Sequence, residues 1–203
     1  MDRVNPLTER PTIDPDAPLL ELIAGDRGAI LSAPHAEPHF RGDYWKGRDS
    51  GSGDLARLIA SATGARALIL GAPAEADPNW YPGGEFKETL RTLAAERPSF
   101  LIDLHVMRDD WGFDALVGTA RRPSALGDHA VAALMSAGLW RVELREEGPF
   151  SGSGSPGTET VIRWALDTLE IPAIQLEIRF GLIGHARDER LIAALESIVG
   201  WRP

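Results

Sequence analysis

The sequence predicts an α/β fold in which helices cover both faces of a largely parallel sheet. Apolar runs of strand length alternate along the chain with amphipathic stretches of helix length, the pattern of repeated strand–helix–strand units. The chain has 203 residues, of which 43% are hydrophobic and 25% charged, enough for one buried core. We therefore expect a single domain over residues 1–203, and four prolines in residues 1–18 predict that this segment is an extended N-terminal arm.

The individual elements follow from local patterns. Strands are predicted where short apolar runs end at proline, glycine or polar residues: 28–34, 67–73, 100–106, 114–120, 139–146 and 172–180. Helices are predicted where apolar residues recur at helical spacing: 55–64, 85–96, 126–137, 158–169 and 188–199. Gly64 and Gly138 mark two helix ends, because glycine readily adopts the conformation that closes a helix. In such sheets, ligands bind beyond the carboxyl ends of the strands.

Composition excludes several classes of function. The chain has no cysteine, which excludes disulfide scaffolds, thiol catalysis and cysteine-bound zinc, and is typical of a reducing cytoplasm. A net charge of −9 argues against a nucleic-acid partner. No apolar run is long enough to span a membrane, and the N-terminal segment lacks the apolar core of a signal peptide, so we expect a cytoplasmic protein. Neither a nucleophilic-serine motif nor a phosphate-loop lysine is present.

Two histidines lie at the ends of predicted strands, where sites form. His35 follows the first strand and His105 ends the third, whereas His129 and His185 are expected at the surface. Imidazole nitrogens together with a carboxylate are a ligand set that suits zinc, which in catalytic sites takes three protein ligands and keeps one position open. Spacing alone leaves the carboxylate open among four acidic residues: Glu37, Asp43, Asp49 and Asp54.

Glu177 lies inside the apolar run of residues 172–180. Burying a carboxylate is costly unless the charge is paired. One interpretation is an ion pair with Arg179, which alternation places on the same face; the other is a general base beside a metal. Residues 150–159, six of them glycine or serine, are interpreted either as a linker or as a mobile loop over a site.

Several segments in the same order resemble the N-formylglutamate amidohydrolase family. They are a Pro-His strand end followed by an acidic turn, the Asp-Leu-His strand FLIDLHV, the Gly-Thr segment DALVGTARRPS, the late strand IQLEIR, and the Asp-Pro-Asn stretch ADPNWYPGGEFKETL. The resemblance covers about residues 28–182. It implies a three-layer α/β/α sandwich of the phosphorylase/hydrolase type with a mixed, mostly parallel sheet.

The resemblance also implies roles for individual residues. His35, Asp49 and His105 become the ligands of one Zn²⁺ per chain, with Glu37 as the alternative carboxylate, and Glu177 becomes the general base and acid. Asp103, two residues before His105, shares its face and can orient its ring. A carboxylated substrate needs cationic or hydrogen-bonding partners, for which the candidates are Arg41, Arg121, Arg122, Arg179 and His39.

The expected function is therefore a zinc-dependent amidohydrolase that cleaves the amide C–N bond of an N-acyl amino acid, with N-formyl amino acids among the candidates, or of a small peptide-like substrate. Its expected partner is a small carboxylated amide, with no nucleic acid or membrane involved. Two alternatives stay open. One is a metallopeptidase-like enzyme that acts on γ-glutamyl or cell-wall peptide bonds, and the other is a non-catalytic metal-binding or structural descendant of the fold. The sequence leaves the oligomeric state undetermined.

Overall fold

A computed structural model describes residues 6–96, 100–184 and 188–202. The described strands are β1 (Leu20–Ile23), β2 (Ala29–Ala33), β3 (His39–Arg41), β4 (Tyr44–Lys46), β5 (Arg66–Leu70), β6 (Phe100–Met107), β7 (Ala115–Gly118), β8 (Val142–Arg145) and β9 (Ala173–Arg179). The described α-helices are α1 (Ser52–Thr63), α2 (Glu85–Ala95), α3 (Ala125–Ser136), α4 (Val161–Trp164), α5 (Phe180–Ile183) and α6 (Glu189–Val199). A 3₁₀ turn (Asp109–Trp111) follows β6, and a π-helical segment (Ala165–Leu169) continues α4.

Seven of these strands form one mixed, mostly parallel sheet in the order β1-β5-β2-β6-β9-β7-β8. The four central strands β5, β2, β6 and β9 run parallel. The edge strand β1 is antiparallel to β5, and β7 is antiparallel to β9 while β8 runs parallel to β7. Strands β3 and β4 form a separate hairpin. The predicted α/β class is confirmed.

Helices cover both faces of this sheet. On one face α1, α3 and α6 bury apolar side chains such as Leu55, Leu134 and Leu195 against the central strands. On the other face α2 and α4 contribute Phe86 and Val161 to a second, smaller cluster. Burial of apolar area on both faces explains why the central strands read as nearly continuous apolar runs.

The face under α2 and α4 changes character along the strands. Its N-terminal positions are apolar and lie in the smaller cluster: Ile30, Leu101 and Ala173. Two residues further along β2, and two and four residues further along β6 and β9, the same face carries buried polar side chains: Ser32, Asp103, His105, Gln175 and Glu177. Because side chains alternate between faces with a period of two, these polar groups belong to one surface near the carboxyl ends of the strands.

Most predicted elements are present with shifted ends, and several short ones were not predicted. The helix predicted for residues 158–169 begins at Val161 and becomes π-helical. Strand β1 and the β3–β4 hairpin escaped prediction because runs of three or four residues are too short to show a periodicity. In the arm, the backbone N–H of Leu7 donates to Trp45 O (2.8 Å). No described helix is long and apolar enough to cross a bilayer.

Candidate metal centre

Three side chains meet at the carboxyl end of the sheet. His35 lies two residues beyond β2, His105 is in β6, and Asp49 lies in the turn before α1. The backbone N–H of Asp49 donates to the carbonyl of His35 (2.8 Å), so the turn is held against the end of the strand. One ligand atom from each of the three residues lies within 4.8 Å of the others.

Both imidazole rings are oriented by buried carboxylates. His35 Nε2 is 2.9 Å from Asp77 Oδ1, and His105 Nε2 is 3.0 Å from Asp103 Oδ2. Asp103 in turn accepts a hydrogen bond from the Ser32 hydroxyl (2.5 Å). An Nε2–H that donates to a carboxylate leaves the Nδ1 atom as the free ligand atom, the usual arrangement behind metal-binding histidines.

The two Nδ1 atoms point at the same oxygen. Asp49 Oδ2 lies 3.0 Å from Nδ1 of His105 and 3.4 Å from Nδ1 of His35. The His35 side chain is almost fully buried, and its Nδ1 has no hydrogen-bond partner among the described residues. Two imidazole nitrogens that converge on one carboxylate oxygen can share a cation with it, and a divalent metal fits this donor set.

The electrostatics of the centre also favour positive charge. Burial raises the pKa of Asp49, but the charge of Lys46 and the adjacent imidazoles of His105 and His35 outweigh it and hold that pKa well below its usual range. Burial lowers the pKa of His105, but the charge and hydrogen bond of Asp103 outweigh it and raise the pKa well above its usual value. The site therefore attracts protons when no metal is bound.

Asp77 connects this centre to the β3–β4 hairpin. Its Oδ2 accepts a hydrogen bond from Arg41 Nε (2.5 Å) and lies 3.4 Å from Nε2 of His39. The His39 ring stacks on that of His35 with 4.1 Å between centroids. His39 was predicted to contact substrate, but it is fully buried behind His35, and burial lowers its pKa to about 3. It supports the His35 ring from behind and does not line the cleft.

Glu177 lies on β9 directly opposite His105 on β6. It is 7% exposed, and its Oε1 accepts a hydrogen bond from Gln175 Nε2 (2.8 Å). Burial raises its pKa to about 7, with His105 acting in the opposite direction. A carboxyl group with this pKa beside the converging ligands can both accept and donate a proton near neutral pH.

These groups open into a cleft of about 890 Å³. Its charged lining consists of two acidic residues, Asp49 and Glu177, and five basic ones: Arg41, Lys46, Arg48, Arg108 and Arg121. The excess of basic groups contrasts with the net charge of −9 of the whole chain. One wall is the glycine- and serine-rich segment 150–159, which is anchored where the backbone N–H of Ala120 donates to Ser151 O (2.8 Å).

Other predicted site residues lie elsewhere. The Glu37 carboxylate is outside the three-residue group, 3.7 Å from Arg48. Asp54 pairs with Arg57 on the exposed side of α1.

Two of the arginines predicted to bind substrate do not line the cleft. Arg122 pairs with Asp167, and Arg179 pairs with Asp114 (3.0 Å). Because its ion pair is with Asp114, Arg179 does not neutralise Glu177. His129 is half-buried, with Nε2 3.2 Å from Ser197 O, and His185 lies outside the described residues.

Sequence reasoning missed three residues that support the site. Asp77 and Asn79 belong to the Asp-Pro-Asn stretch. Its position after β5 was the one feature of the sequence that could have identified them as site residues. The Asn79 amide nitrogen is 3.4 Å from His105 Nε2, and its Oδ1 accepts from the backbone N–H of Val161 (2.6 Å). Lys87 is fully buried below this loop, a placement that its position on an amphipathic helix did not indicate.

No protein-family model matches the sequence, and no curated protein matches it. Solved structures share its fold. N-formylglutamate amidohydrolase from Ralstonia eutropha aligns with a TM-score of 0.56 and 14% identity over 89% of this chain and 95% of that one. A bacteriophage poly-gamma-glutamate hydrolase aligns with a TM-score of 0.53 and 17% identity over 89% and 86% of the two chains.

A metallo-carboxypeptidase from Burkholderia cenocepacia aligns with a TM-score of 0.56 and 12% identity over 89% of this chain and 60% of that one. At such identities, similarity establishes the fold alone. The fold implied by the sequence resemblance is thereby confirmed: this chain has the α/β architecture that N-formylglutamate amidohydrolase and metallo-carboxypeptidase structures share.

Proposed function

We propose that this protein is a zinc-dependent amidohydrolase that cleaves the amide C–N bond of an N-acyl amino acid or a small peptide-like substrate. The observation that carries the proposal is the convergence of His35, Asp49 and His105 within 4.8 Å, next to the buried Glu177. Hydrolase neighbours with the same fold support it.

The proposed ligands are His35 Nδ1, His105 Nδ1 and Asp49 Oδ2. Their carboxylate partners Asp77 and Asp103 hold the two rings in place and increase the basicity of the ligand nitrogens. Zinc bound there would lower the pKa of a bound water to about 7 and polarise the scissile carbonyl.

Glu177 is the proposed proton carrier. Its carboxylate accepts the proton that the attacking water loses and then donates it to the amine nitrogen as the C–N bond breaks. The hydrogen bond from Gln175 fixes one carboxylate oxygen (2.8 Å) and leaves the other for this transfer. The pKa of about 7 suits both steps, because neither protonation state is strongly favoured near neutral pH.

The basic side chains of the hairpin side are the proposed partners of a substrate carboxylate. Arg41 lies over the Trp80 ring with 4.8 Å to its centroid, and Lys46 and Arg48 lie beside Asp49. Arg41 and Lys46 are largely buried, with 13% and 21% of their side chains exposed. A cation in such a partly desolvated position binds a carboxylate more strongly than one at the surface.

Metal content and turnover test the proposal together. Mass spectrometry should find near-stoichiometric zinc in the purified protein and none in a His35→Ala/His105→Ala double variant. His129→Ala is the matched control, because it removes a histidine on α3 away from the cleft and should keep the zinc. Glu177→Gln should keep the metal and lose hydrolysis of N-formyl- and N-acetyl-glutamate.

Three results would contradict the proposal. Activity that persists in Glu177→Gln would remove the proton-transfer role of that residue. Absence of metal after zinc is supplied would reject the metal centre. Bound zinc without turnover on any acyl amino acid or peptide would favour a non-catalytic metal-binding protein.

A second candidate is hydrolysis of γ-glutamyl bonds in an acidic polymer. The observation that favours it is the exposed basic rim, Arg48, Arg108 and Arg121, on a cleft larger than a formyl amino acid needs. The fold neighbour named a poly-gamma-glutamate hydrolase adds support. A comparison of poly-γ-glutamate with γ-glutamyl dipeptides separates the candidates, since a polymer enzyme loses activity as the chain shortens and as salt rises.

A further inference from the structure

One end of the cleft is lined by aromatic side chains that the proposed reaction does not use. Trp111 ends the 3₁₀ turn after β6, Phe180 follows β9, and Phe150 lies in the loop after β8. All three line the same cleft as the metal ligands and Glu177. They form what we call the aromatic wall: Trp111, Phe150 and Phe180.

The aromatic wall is held in place by specific contacts. The rings of Trp111 and Phe150 meet edge to face, with centroids 4.7 Å apart. Phe150 has a φ of 66°, a left-handed conformation that is unfavourable for a residue with a side chain and is kept only where the surrounding contacts fix it. The backbone N–H of Gly181 donates to Asp109 Oδ1 (2.8 Å) and so ties Phe180 to the turn that carries Trp111.

The wall still faces solvent. Phe180 is 42% exposed, which makes it one of few large apolar side chains that lie so open among the described residues. Apolar surface held open inside a cleft beside reactive groups is typical of a binding subsite, because a ligand that covers it removes that area from water.

Basic side chains line the cleft at both ends. Arg41, Lys46 and Arg48 come from the β3–β4 hairpin and the turn after it, whereas Arg108 and Arg121 follow β6 and β7, on the side of the aromatic wall. The aromatic wall itself comes from segments that follow β6, β8 and β9. The cleft therefore offers both cations and an aromatic surface to one ligand.

We infer that the substrate is an amide that carries both a carboxylate and an aromatic ring, and that the ring lies against the aromatic wall. The inference rests on the proposed function and narrows its substrate class. A ring placed edge to face or offset on Trp111 and covering Phe180 gains both apolar burial and aromatic contact, expected to be worth about tenfold in affinity.

Binding to the zinc-loaded Glu177→Gln protein tests the inference without turnover. Two matched pairs are compared by isothermal titration calorimetry: N-phenylacetyl-L-glutamate with N-acetyl-L-glutamate, and N-succinyl-L-phenylalanine with N-succinyl-L-alanine. We expect one ring-bearing compound to bind about tenfold more tightly than its partner. The pair that shows the preference identifies which half of the amide carries the ring.

Added Trp111→Ala and Phe180→Ala substitutions should each remove most of that preference. Trp140→Ala is the control, because Trp140 is 75% exposed and does not line the cleft. Phe180→Ala keeps the test decisive if Trp111→Ala fails to fold. Equal binding within both pairs, or a preference that survives both substitutions, overturns the inference.

Failure of the proposed function gives a different result. In that case the wild-type protein hydrolyses none of the four compounds, while the ring preference and its loss in the variants remain measurable. If instead N-acetyl-L-glutamate and N-succinyl-L-alanine are hydrolysed as efficiently as their ring-bearing partners, the proposed amidohydrolase function stands and the inferred preference for an aromatic substrate is wrong.

Discussion

Replacement of the buried Lys87 by methionine should be among the most destabilising single changes outside the metal centre. The Lys87 ammonium group is fully buried and donates to three oxygens: Tyr81 O (2.6 Å), Glu159 O (2.7 Å) and Glu159 Oε2 (3.1 Å). These bonds join α2, the loop that carries Asn79, and the segment just before α4. Methionine fills the volume of the stem but leaves all three acceptors without this donor.

The magnitude follows from the number and exposure of those acceptors. A buried ion pair that loses one partner costs about 3–5 kcal/mol, and the 30% exposure of Glu159 places the expected loss near the lower value, about 3 kcal/mol. In a chain of this length, that corresponds to a fall in melting temperature of about 6–12 °C. Equilibrium urea unfolding followed by circular dichroism measures the free energy directly.

Arg91→Met is the matched control on the same helix. Arg91 is 46% exposed, pairs with Glu88 (3.1 Å), and places its guanidinium over the Trp164 ring with 5.2 Å to the centroid. Methionine removes both contacts, and we expect a loss of about 1 kcal/mol there, because an exposed ion pair and an exposed cation–π contact are each worth about that much or less. If Lys87→Met destabilises no more than Arg91→Met does, the three hydrogen bonds of Lys87 do not hold these segments together.

Three further predictions concern Asp77, Gly118 and the pH dependence that Lys87 gives to stability. Asp77→Asn should weaken zinc binding about 10–100-fold in a chelator competition assay, because the His35 ring loses its charged partner; unchanged affinity would contradict this role. Gly118→Ala should destabilise the fold by about 1–3 kcal/mol in urea unfolding, since the added Cβ would lie 2.5 Å from Phe150 O, and no loss would mean that the loop moves freely. Burial lowers the pKa of Lys87, so just below pH 10.5 the unfolded chain keeps a proton that the folded protein has lost. The stability of the wild type relative to Lys87→Met should therefore rise with pH in that range. A fall in relative stability would mean that folding raises the pKa of Lys87.

Much of the fold could be read from local pattern. Apolar runs such as residues 100–106 predicted the ends of the central strands to within three residues, because burial on both faces demands apolar side chains along the whole run. Gly64 was expected to end its helix, and it does so with a φ of 74°. Edge strand β1 could not be predicted in this way, since its four residues acquire a regular backbone only by pairing with the distant strand β5. Strands β3 and β4 pair with each other, but three residues in each are too few to show an alternation.

For the site, local pattern was enough to predict which chemical groups lie at the carboxyl ends of the strands. Alternation places Asp103 and His105 on one face of their strand, whereas the pairing of that strand with the strand of Glu177 is a feature of the folded sheet. Local pattern could not decide which of four nearby carboxylates faces the histidines. That choice depends on the backbone hydrogen bond from Asp49 to the His35 carbonyl and on the path of the intervening hairpin.

The residues that support those groups are brought to them by folding. Asp77 meets His35 across 42 residues of chain, and Lys87 meets Glu159 across 72. A hydrogen bond between such distant residues leaves no periodicity in the sequence, because each partner is an ordinary polar residue in its own segment. The strand and helix pattern follows from local burial, whereas the centre is completed by pairings that exist only after the chain has folded.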